Sequence, residues 1–331
     1  MSRPTVRPLV LAAGTDPASG GIQAVADQMR LAVAARVIDT AGRRKLAVAW
    51  ECLLAGPADP TVVMHVGLLK LLPLLPRPRG RRVLFLHGVE CWRPPGRLAR
   101  RLLGAVDLFL SNSDHTWERF LTFAPQLAGR PHATTALGLG EPLAGPTPPP
   151  ADAPTAVILG RMDRGEDYKG HRELIAAWPR VRERVPAAEL VVAGDGDLRP
   201  DLERLAGPGV RFVGRVSESQ KQELLARSRC LVMPSRGEGF GLVYLEAMRV
   251  GRPCLVGDRD AGREVVNPPE AGLAVNPDDP AAVAAAAAAR LLTPGAEWDA
   301  WSAAARRRYE GRFTAAHFQA RLRAALGPGG G

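Results

Sequence analysis

Short apolar runs alternate with helix-like stretches along this chain, stop at a proline-rich break, and then begin again. That doubled alternation constrains the fold more than any other feature. A run of four or five apolar residues followed by a helical stretch reads as a βαβ unit, whose parallel strands are buried on both faces. Before the break, strands are expected over 8–12, 46–50, 62–66, 83–87 and 108–111, with helices over 21–35, 67–75, 96–103 and 114–123. The break, residues 138–155, reads GLGEPLAGPTPPPADAPT. Its six prolines can build neither a helix nor a central strand, so it reads as a linker. Beyond it, strands are expected over 156–160, 190–194, 210–213, 230–234, 254–257 and 272–275. Helices are expected over 171–184, 198–205, 217–227, 242–249, 297–309 and 314–326. The expected fold class is α/β: two doubly wound domains facing each other across an interdomain cleft, with ligands outside the carboxyl ends of the strands. The expected division is a domain over 1–140, a linker over 141–155, and a second domain over 156–308. A C-terminal helix and Gly-rich tail over 309–331 would pack back toward the first domain.

A chain of 331 residues fits two domains at ~100–200 residues each. With 46% hydrophobic and 24% charged residues it is globular in composition. No apolar run reaches the ~18 residues of a membrane span, and the Ala-rich run 281–289 reads as an ordinary helix. The apolar stretch 9–13 is too short for a signal-peptide core and reads as a first strand. Cys52, Cys91, Cys230 and Cys254 form no CxxC pair, which argues for reduced thiols over a disulfide framework or zinc site. The net charge of +10 is unevenly spread: residues 1–150 hold 18 Lys and Arg against 10 Asp and Glu, and the remainder 26 against 24. An aromatic content of 5% and the lack of any nucleic-acid-binding motif argue against a nucleic-acid partner.

The most informative stretch is PSRGEGFGLVYLEAMRVG, residues 234–251. A strand ends at Pro234, glycines stand at 237, 239 and 241, and a helix begins near Leu242. Glycines let a ligand approach the backbone, and the free N–H groups of the helix start favour an anion. Glu238 and Glu246 would repel phosphate directly and are better placed to accept sugar hydroxyls beside it. In VILGRMDRGEDYKGH, residues 157–171, a strand runs into Arg161 and Lys169 opens the next helix. Two cations at a strand's carboxyl end suit a diphosphate, with acidic neighbours such as Glu166 able to neutralise them locally. Gly20 and Gly21, at the first βα junction, could admit a phosphate or sugar. They do not form the dinucleotide fingerprint G-x-G-x-x-G, which counts against a nicotinamide dehydrogenase. His87 closes the strand VLFLH, facing the expected cleft, and could hydrogen-bond or exchange a proton with a hydroxyl. His65 reads as a core residue; His115, His132 and His317 read as ordinary surface residues. Asp195-Gly196-Asp197 reads as a strand-exit turn and not as a metal site. Asp278-Asp279, between prolines, reads as a helix start. No cluster has metal-ligand spacing and no G-x-S-x-G elbow is present.

Taken together these stretches resemble the retaining glycosyltransferases of family 4 (glycosyl transferases group 1), which have the GT-B fold of two Rossmann-like domains. Glu238 to Glu246 matches the family's E-x7-E motif, while LGRM (159–162) and YKGH (168–171) match its diphosphate-binding segments. VAGDGDL, RFVGRVS and RRRYEGRFTAAHFQARL also read like the family, and HGVECWRP (87–94) resembles the segment holding its active-site His. The resemblance implies that Arg161 and Lys169 hold the donor diphosphate and that Glu238 binds donor-sugar hydroxyls. It assigns Glu246 to the ribose, and Gly239, Phe240, Gly241 and Leu242 to the sugar and phosphate through the backbone. Arg215 and Val216 would border the base, and Gly20, Gly21 and His87 would face the donor. It implies no cofactor and no metal, a nucleotide-sugar donor (UDP- or GDP-sugar) and an unknown hydroxyl acceptor. It also implies a place in cell-envelope glycan, glycolipid or polysaccharide synthesis. A GT-B sugar-nucleotide epimerase and a transferase acting on a small metabolite are the alternatives. Two features depart from the family: a first domain short at about 140 residues, and a segment GDRDAGREVV (257–266) less small and polar than usual.

Arg93, Arg97, Arg100 and Arg101 flank Leu98, Leu102 and Leu103 in a short amphipathic segment. Such a helix could lie on an anionic membrane and bring the enzyme to a lipid-linked acceptor. The expected location is the cytoplasm, peripheral at the inner membrane face if that segment binds lipid.

Overall fold

The computed structural model describes residues 7–15, 21–76, 80–283 and 289–327. The chain divides into two compact units, Met1–Gly138 with Ala315–Gly331, and Leu139–Thr314.

The first unit is built on six parallel strands: β1 (Leu9–Ala12), β2 (Arg36–Asp39), β3 (Thr61–Val63), β4 (Arg82–Leu86), β5 (Leu108–Ser111) and β6 (His132–Thr134). Their order is β2-β1-β3-β4-β5-β6. The register (Leu11 opposite Val63, Val63 opposite Leu84, Leu84 opposite Phe109) turns these side chains to one face of the sheet. On that face they meet Val48, Cys52, Leu68, Leu72 and Leu103 in one core cluster. The helices Lys45–Leu53 and Arg97–Leu103 and the 3-10 segment Val66–Leu74 therefore form one covering layer. Helix Gly21–Ala32 packs with the C-terminal helix Ala315–Leu326. There Arg323 Nε donates to Ala32 O at 3.1 Å, and Phe318 stacks on Phe85 with ring centroids 6.4 Å apart.

Residues 46–50, expected as a strand, are helical, and the second strand is Arg36–Asp39, directly after the expected first helix, in a stretch left unassigned. LAVAW is apolar throughout, and an unbroken apolar run does not distinguish a strand from a buried helix. The segment 67–75 is a 3-10 helix containing Pro73, not an α-helix. The three-residue β6 carries too short a pattern to read.

The second unit has β7 (Thr155–Leu159), β8 (Glu189–Ala193), β9 (Val210–Gly214), β10 (Cys230–Met233), β11 (Cys254–Gly257) and β12 (Gly272–Val275). All are parallel, in the order β12-β11-β10-β7-β8-β9. That is the doubly wound Rossmann arrangement, and its direction of winding reverses between β7 and β10. At such a switch point the two following loops diverge and leave a crevice for a ligand.

The proline-rich stretch is bonded into the second unit as a strap. Ala151 N donates to Arg227 O at 2.9 Å, Arg306 donates to Leu143 O and Gly145 O at 2.8 and 2.7 Å, and the Tyr309 hydroxyl donates to Leu139 O. Buried Arg252 fastens it further, its guanidinium donating to Pro148 O at 2.5 Å, Leu225 O at 3.2 Å and Ala226 O. Helix Ala296–Arg312 runs through 309 and belongs to the same unit. Of the Ala-rich run, residues 284–288 lie outside the described residues. Among the described residues no helix is long and apolar enough to cross a membrane.

Candidate functional site

The loops after β7 and β10 meet at the switch point of the second sheet. The first leaves Leu159 through Gly160 and is tied down from β8: Met162 N donates to Asp195 O at 2.9 Å, and Arg164 N to the Asp197 carboxylate at 2.7 Å. The Asp195-Gly196-Asp197 turn thus anchors this loop. The loop closes with a 3-10 segment, Arg164–Lys169, and with Gly170 at φ 86°. That left-handed geometry suits glycine, and a Cβ there would lie 2.4 Å from Pro234 O. The Lys169 loop and the Gly-rich loop are therefore in backbone contact; Arg236 N also donates to Tyr168 O at 2.8 Å.

Arg161 and Lys169 converge on one carboxylate. Glu166 accepts from Arg161 through one oxygen and pairs with Lys169 Nζ at 2.6 Å through the other. Lys169 and Glu166 are largely covered, with 15% and 13% of their side-chain surfaces exposed, whereas Arg161 is 69% exposed. Glu166 thus occupies the place that an anion bound by both cations would take. Glu166→Gln removes this competing charge with little change of shape. It should tighten binding of a free nucleoside diphosphate about fivefold, on the order of 1 kcal/mol, in a calorimetric titration of UDP and GDP. Unchanged or weaker binding would mean that Glu166 organises the cations more than it competes for them.

In the Gly-rich loop, Gly237 N donates to Ser235 Oγ at 3.1 Å, and Arg236 is locked between Glu173 at 2.8 Å and Asp278 at 2.6 Å. Gly241 takes φ 84° and precedes the helix Leu242–Arg249. Glu238 is held through its backbone: its N donates to Asp260 Oδ2 at 3.2 Å and its O accepts from Ala261 N at 3.1 Å. Burial raises the Glu238 pKa, Lys169 opposes that shift, and Glu166 adds to it. Asp260 is buried, and its other oxygen accepts from Gly262 N at 2.8 Å.

Burial, with the Glu238 carboxylate nearby, pushes Asp260 up to about 7 against the pull of its amide donors. An unfolded aspartate titrates near pH ~3.9. Between roughly pH 4 and 7 the folded chain therefore holds a proton that the unfolded chain releases, so stability declines as pH rises through that window. Asp260→Asn should flatten this decline. Urea unfolding at pH 4.5 and 7.5 checks it, and an unaltered pH slope would acquit Asp260.

Glu246 sits in the first turns of helix Leu242–Arg249 and pairs with Lys221 Nζ at 2.6 Å, itself 2.8 Å from Glu218. Burial raises the Glu246 pKa and Lys221 pulls against it. Arg215 and Val216 follow β9, with Arg215 exposed. Among the sequence-derived residues the structure brings Arg161, Lys169 and Glu238 together, with Gly239, Phe240, Gly241 and Leu242 on the same loop and helix start. Three partners escaped the motifs: the bridging role of Glu166, Asp260 behind Glu238, and Lys221 on Glu246. The only sequence signals were acidity beside two cations, the unusual 257–266 segment, and the rarity of lysine in this chain.

In the first unit, Gly21 opens helix Gly21–Ala32, and Gly20 lies outside the described residues. His87 follows β4, 8% exposed, with its ring stacked on Phe85 at 4.5 Å and the Met64 backbone beside it. Burial, with His65 beside it, lowers its pKa to about 3, so the imidazole is neutral near pH 7. Its backbone is fixed by Glu90, which accepts from His87 N at 2.6 Å, and by Asn112 Nδ2, which donates to His87 O at 2.6 Å. His65 Nδ1 accepts from Gly67 N at 2.9 Å. His115 and His132 are packed and not plain surface residues: His132 stacks on Trp117 at 4.1 Å and bonds Ser111 at 2.8 Å, and His115 meets Trp92 edge-on at 5.4 Å. An isolated sequence pattern does not reveal such aromatic neighbours. The four cysteines are free and buried.

Residues 153–293 match the family model for glycosyl transferases group 1. Over 147 residues the chain is 37% identical to the phosphatidyl-myo-inositol mannosyltransferase of Mycobacterium tuberculosis, a match covering 43% of this chain and 38% of that protein. It is 31% identical over 223 residues to glycogen synthase of the same organism, covering 64% of this chain and 50% of that one. The chain therefore spans about two fifths to half the length of these curated relatives. Sucrose-phosphate synthase from Thermosynechococcus elongatus superposes with a TM-score of 0.75 at 19% identity, covering 96% of this chain and 97% of that one. Anabaena HepE in complex with UDP and glucose superposes at 0.74 and 16% identity, covering 96% and 98%. The match to the glycosyl transferases group 1 thus lies within the second unit, and the chain as a whole has the two-domain Rossmann-like fold of the GT-B glycosyltransferases.

Proposed function

We propose that this protein is a retaining glycosyltransferase of family 4 that moves a sugar from a nucleoside-diphosphate sugar to a hydroxyl acceptor without a metal ion. Its place would be glycolipid, cell-envelope or polysaccharide synthesis on the cytoplasmic side. The observation that carries this reading is the pair Arg161 and Lys169, held on one carboxylate at the switch point with Glu238 beside them. The mannosyltransferase and glycogen synthase relatives support transfer of a sugar, and the UDP and glucose in HepE support a nucleotide-sugar donor.

In this reading the bond between the sugar C1 and the β-phosphate oxygen breaks, and negative charge grows on the departing diphosphate. Arg161, Lys169 and the N–H groups around Gly241 are aimed at that charge, and fixed charges act most strongly where water is excluded. Glu238 accepts donor-sugar hydroxyls and Glu246 accepts the ribose. The acceptor oxygen attacks C1 from the face the diphosphate leaves, and its proton passes to the leaving phosphate oxygen. His87, neutral and standing just after β4, is suited to hydrogen-bond a hydroxyl.

Incubating the protein in EDTA with UDP-, GDP- and ADP-sugars and measuring nucleoside diphosphate release tests the proposal. Slow, donor-selective release is expected. The absence both of release from every donor and of binding of free UDP, GDP and ADP would overturn the donor-site assignment.

A further inference from the structure

The outer surface of one layer of the first unit combines two features that rarely coincide on a surface facing only water. The first is apolar. Helix Lys45–Leu53 buries Val48 and Cys52 inward, yet its opposite stripe carries Leu46, Trp50 and Leu53, continued by Leu54, which are 86%, 64%, 50% and 67% exposed. Spaced at i, i+4, i+7 and i+8, they line one side of the helix. Exposed apolar clusters of this kind mark an interaction site. In the same layer, helix Arg97–Leu103 leaves Leu98 60% exposed.

The second feature is charge. Arg44 and Lys45 at the start of the first helix, Lys70 on the intervening 3-10 segment, and Arg97, Arg100 and Arg101 on the second helix are all exposed. None of them forms an ion pair with a described residue. The one acid on helix Lys45–Leu53, Glu51, is already engaged by Arg43 at 2.5 Å. In the sequence, residues 41–106 hold twelve Lys and Arg against three Asp and Glu, an excess of nine within a chain whose net charge is +10. Six of these twelve cations, those just named, are exposed on the elements of this layer.

We propose that this face docks on an anionic membrane surface, with Leu46, Trp50, Leu53 and Leu54 entering the interface and the flanking cations meeting lipid phosphates. Tryptophan and leucine beside unpaired Lys and Arg match the boundary between headgroups and acyl chains, where apolar insertion and electrostatic attraction add. A protein partner would need acidic groups matched one by one to cations on three elements, whereas a bilayer of anionic lipid supplies such charge everywhere. The inserting element is helix Lys45–Leu53, and the arginine-rich helix contributes attraction. The proposal stands apart from the transferase reading, since none of these residues lies in the donor site.

The full chain would be sedimented with vesicles of phosphatidylcholine alone and of phosphatidylcholine with 30% phosphatidylglycerol, at low and at physiological ionic strength. Binding is expected only to the anionic vesicles and should weaken with salt. Leu46→Ala with Trp50→Ala should lower the partition coefficient at least tenfold at both salt concentrations. Arg44→Ala, Lys45→Ala, Arg100→Ala and Arg101→Ala together should lower it mainly at low salt and flatten the salt dependence. Far-UV circular dichroism and an unchanged thermal midpoint would establish that these surface variants fold. No binding to anionic vesicles at low salt would overturn the proposal, as would full binding by the Leu46, Trp50 double variant. A concentration-dependent dimer that Trp50→Ala dissolves, without vesicle binding, would assign the face to a second copy and would equally overturn it.

Discussion

Lys169→Ala should lower donor turnover by about 10²–10³-fold, the loss of roughly 2.7–4 kcal/mol that follows removal of one group stabilising transition-state charge. Arg161→Ala should cost less. Both cations touch Glu166, but Lys169 is mostly covered and Arg161 mostly exposed. A charge shielded from water interacts more strongly with a developing phosphate charge than one screened by solvent. If both act on the leaving group, kcat falls with kcat/KM in each variant; if they only bind the donor, KM rises while kcat stays. Turnover in EDTA with the donor found for the wild type separates these outcomes. A Lys169→Ala enzyme as fast as the wild type would remove Lys169 from the catalytic machinery.

The largest effect on stability is expected at Arg252. Its side chain is wholly buried and lies over the Trp298 ring at 5.8 Å. Its guanidinium satisfies the carbonyls of Leu225 and Ala226, which end one helix, and of Pro148 in the strap. Burial lowers its pKa to about 10, still well above neutrality, so it stays charged. Arg252→Ala strands the carbonyl oxygens of Pro148 and Ala226 (Leu225 O keeps its bonds from Ser228) and opens a cavity. A buried unsatisfied acceptor costs about 1–3 kcal/mol, so a total of about 3–5 kcal/mol is expected. For a unit of this size that lowers the thermal midpoint by roughly 10 °C. Arg252→Lys should recover little, because an ammonium cannot span the three acceptors in the guanidinium's plane. A melting temperature within a degree or two of wild type for Arg252→Ala would show that the strap and the helix end satisfy themselves.

Both effects depend on pairings that differ in how far they can be read from residues alone. Most of the second unit was legible: β7 to β12 and the four helices from His171 to Arg249 fall where short apolar runs and helical stretches predict, whereas the short helix Gly262–Val266 was not read. Apart from the half-exposed edge strand β9 (VRFVG), those strands are largely buried on both faces and print apolar runs between turn residues. The first unit was less legible. The apolar stretch Leu46–Trp50 is helical because helix Lys45–Leu53 keeps Leu46 and Trp50 on its outer stripe while burying Val48. A helix apolar on both sides has no polar face to reveal its period.

The sequence by itself determined the class of the fold, the repeated α/β alternation, and the residue types that suit a diphosphate and a sugar: Arg161, Lys169, Glu238 and Glu246. These are local facts, written in runs, glycines and short spacings. Only the tertiary structure decided that the proline-rich stretch is a strap of the second unit and that Glu166 joins the two cations. It also decided that Asp260, 22 residues beyond Glu238, holds that residue's backbone, and that Leu46 and Trp50 face outward. The pairings within the second unit depend on which loops the strand order β12-β11-β10-β7-β8-β9 sets side by side, and the outward stripe on which helix faces the first sheet covers. Strand order follows from how distant segments share a core, and a linear pattern of apolar and polar residues carries no record of that sharing.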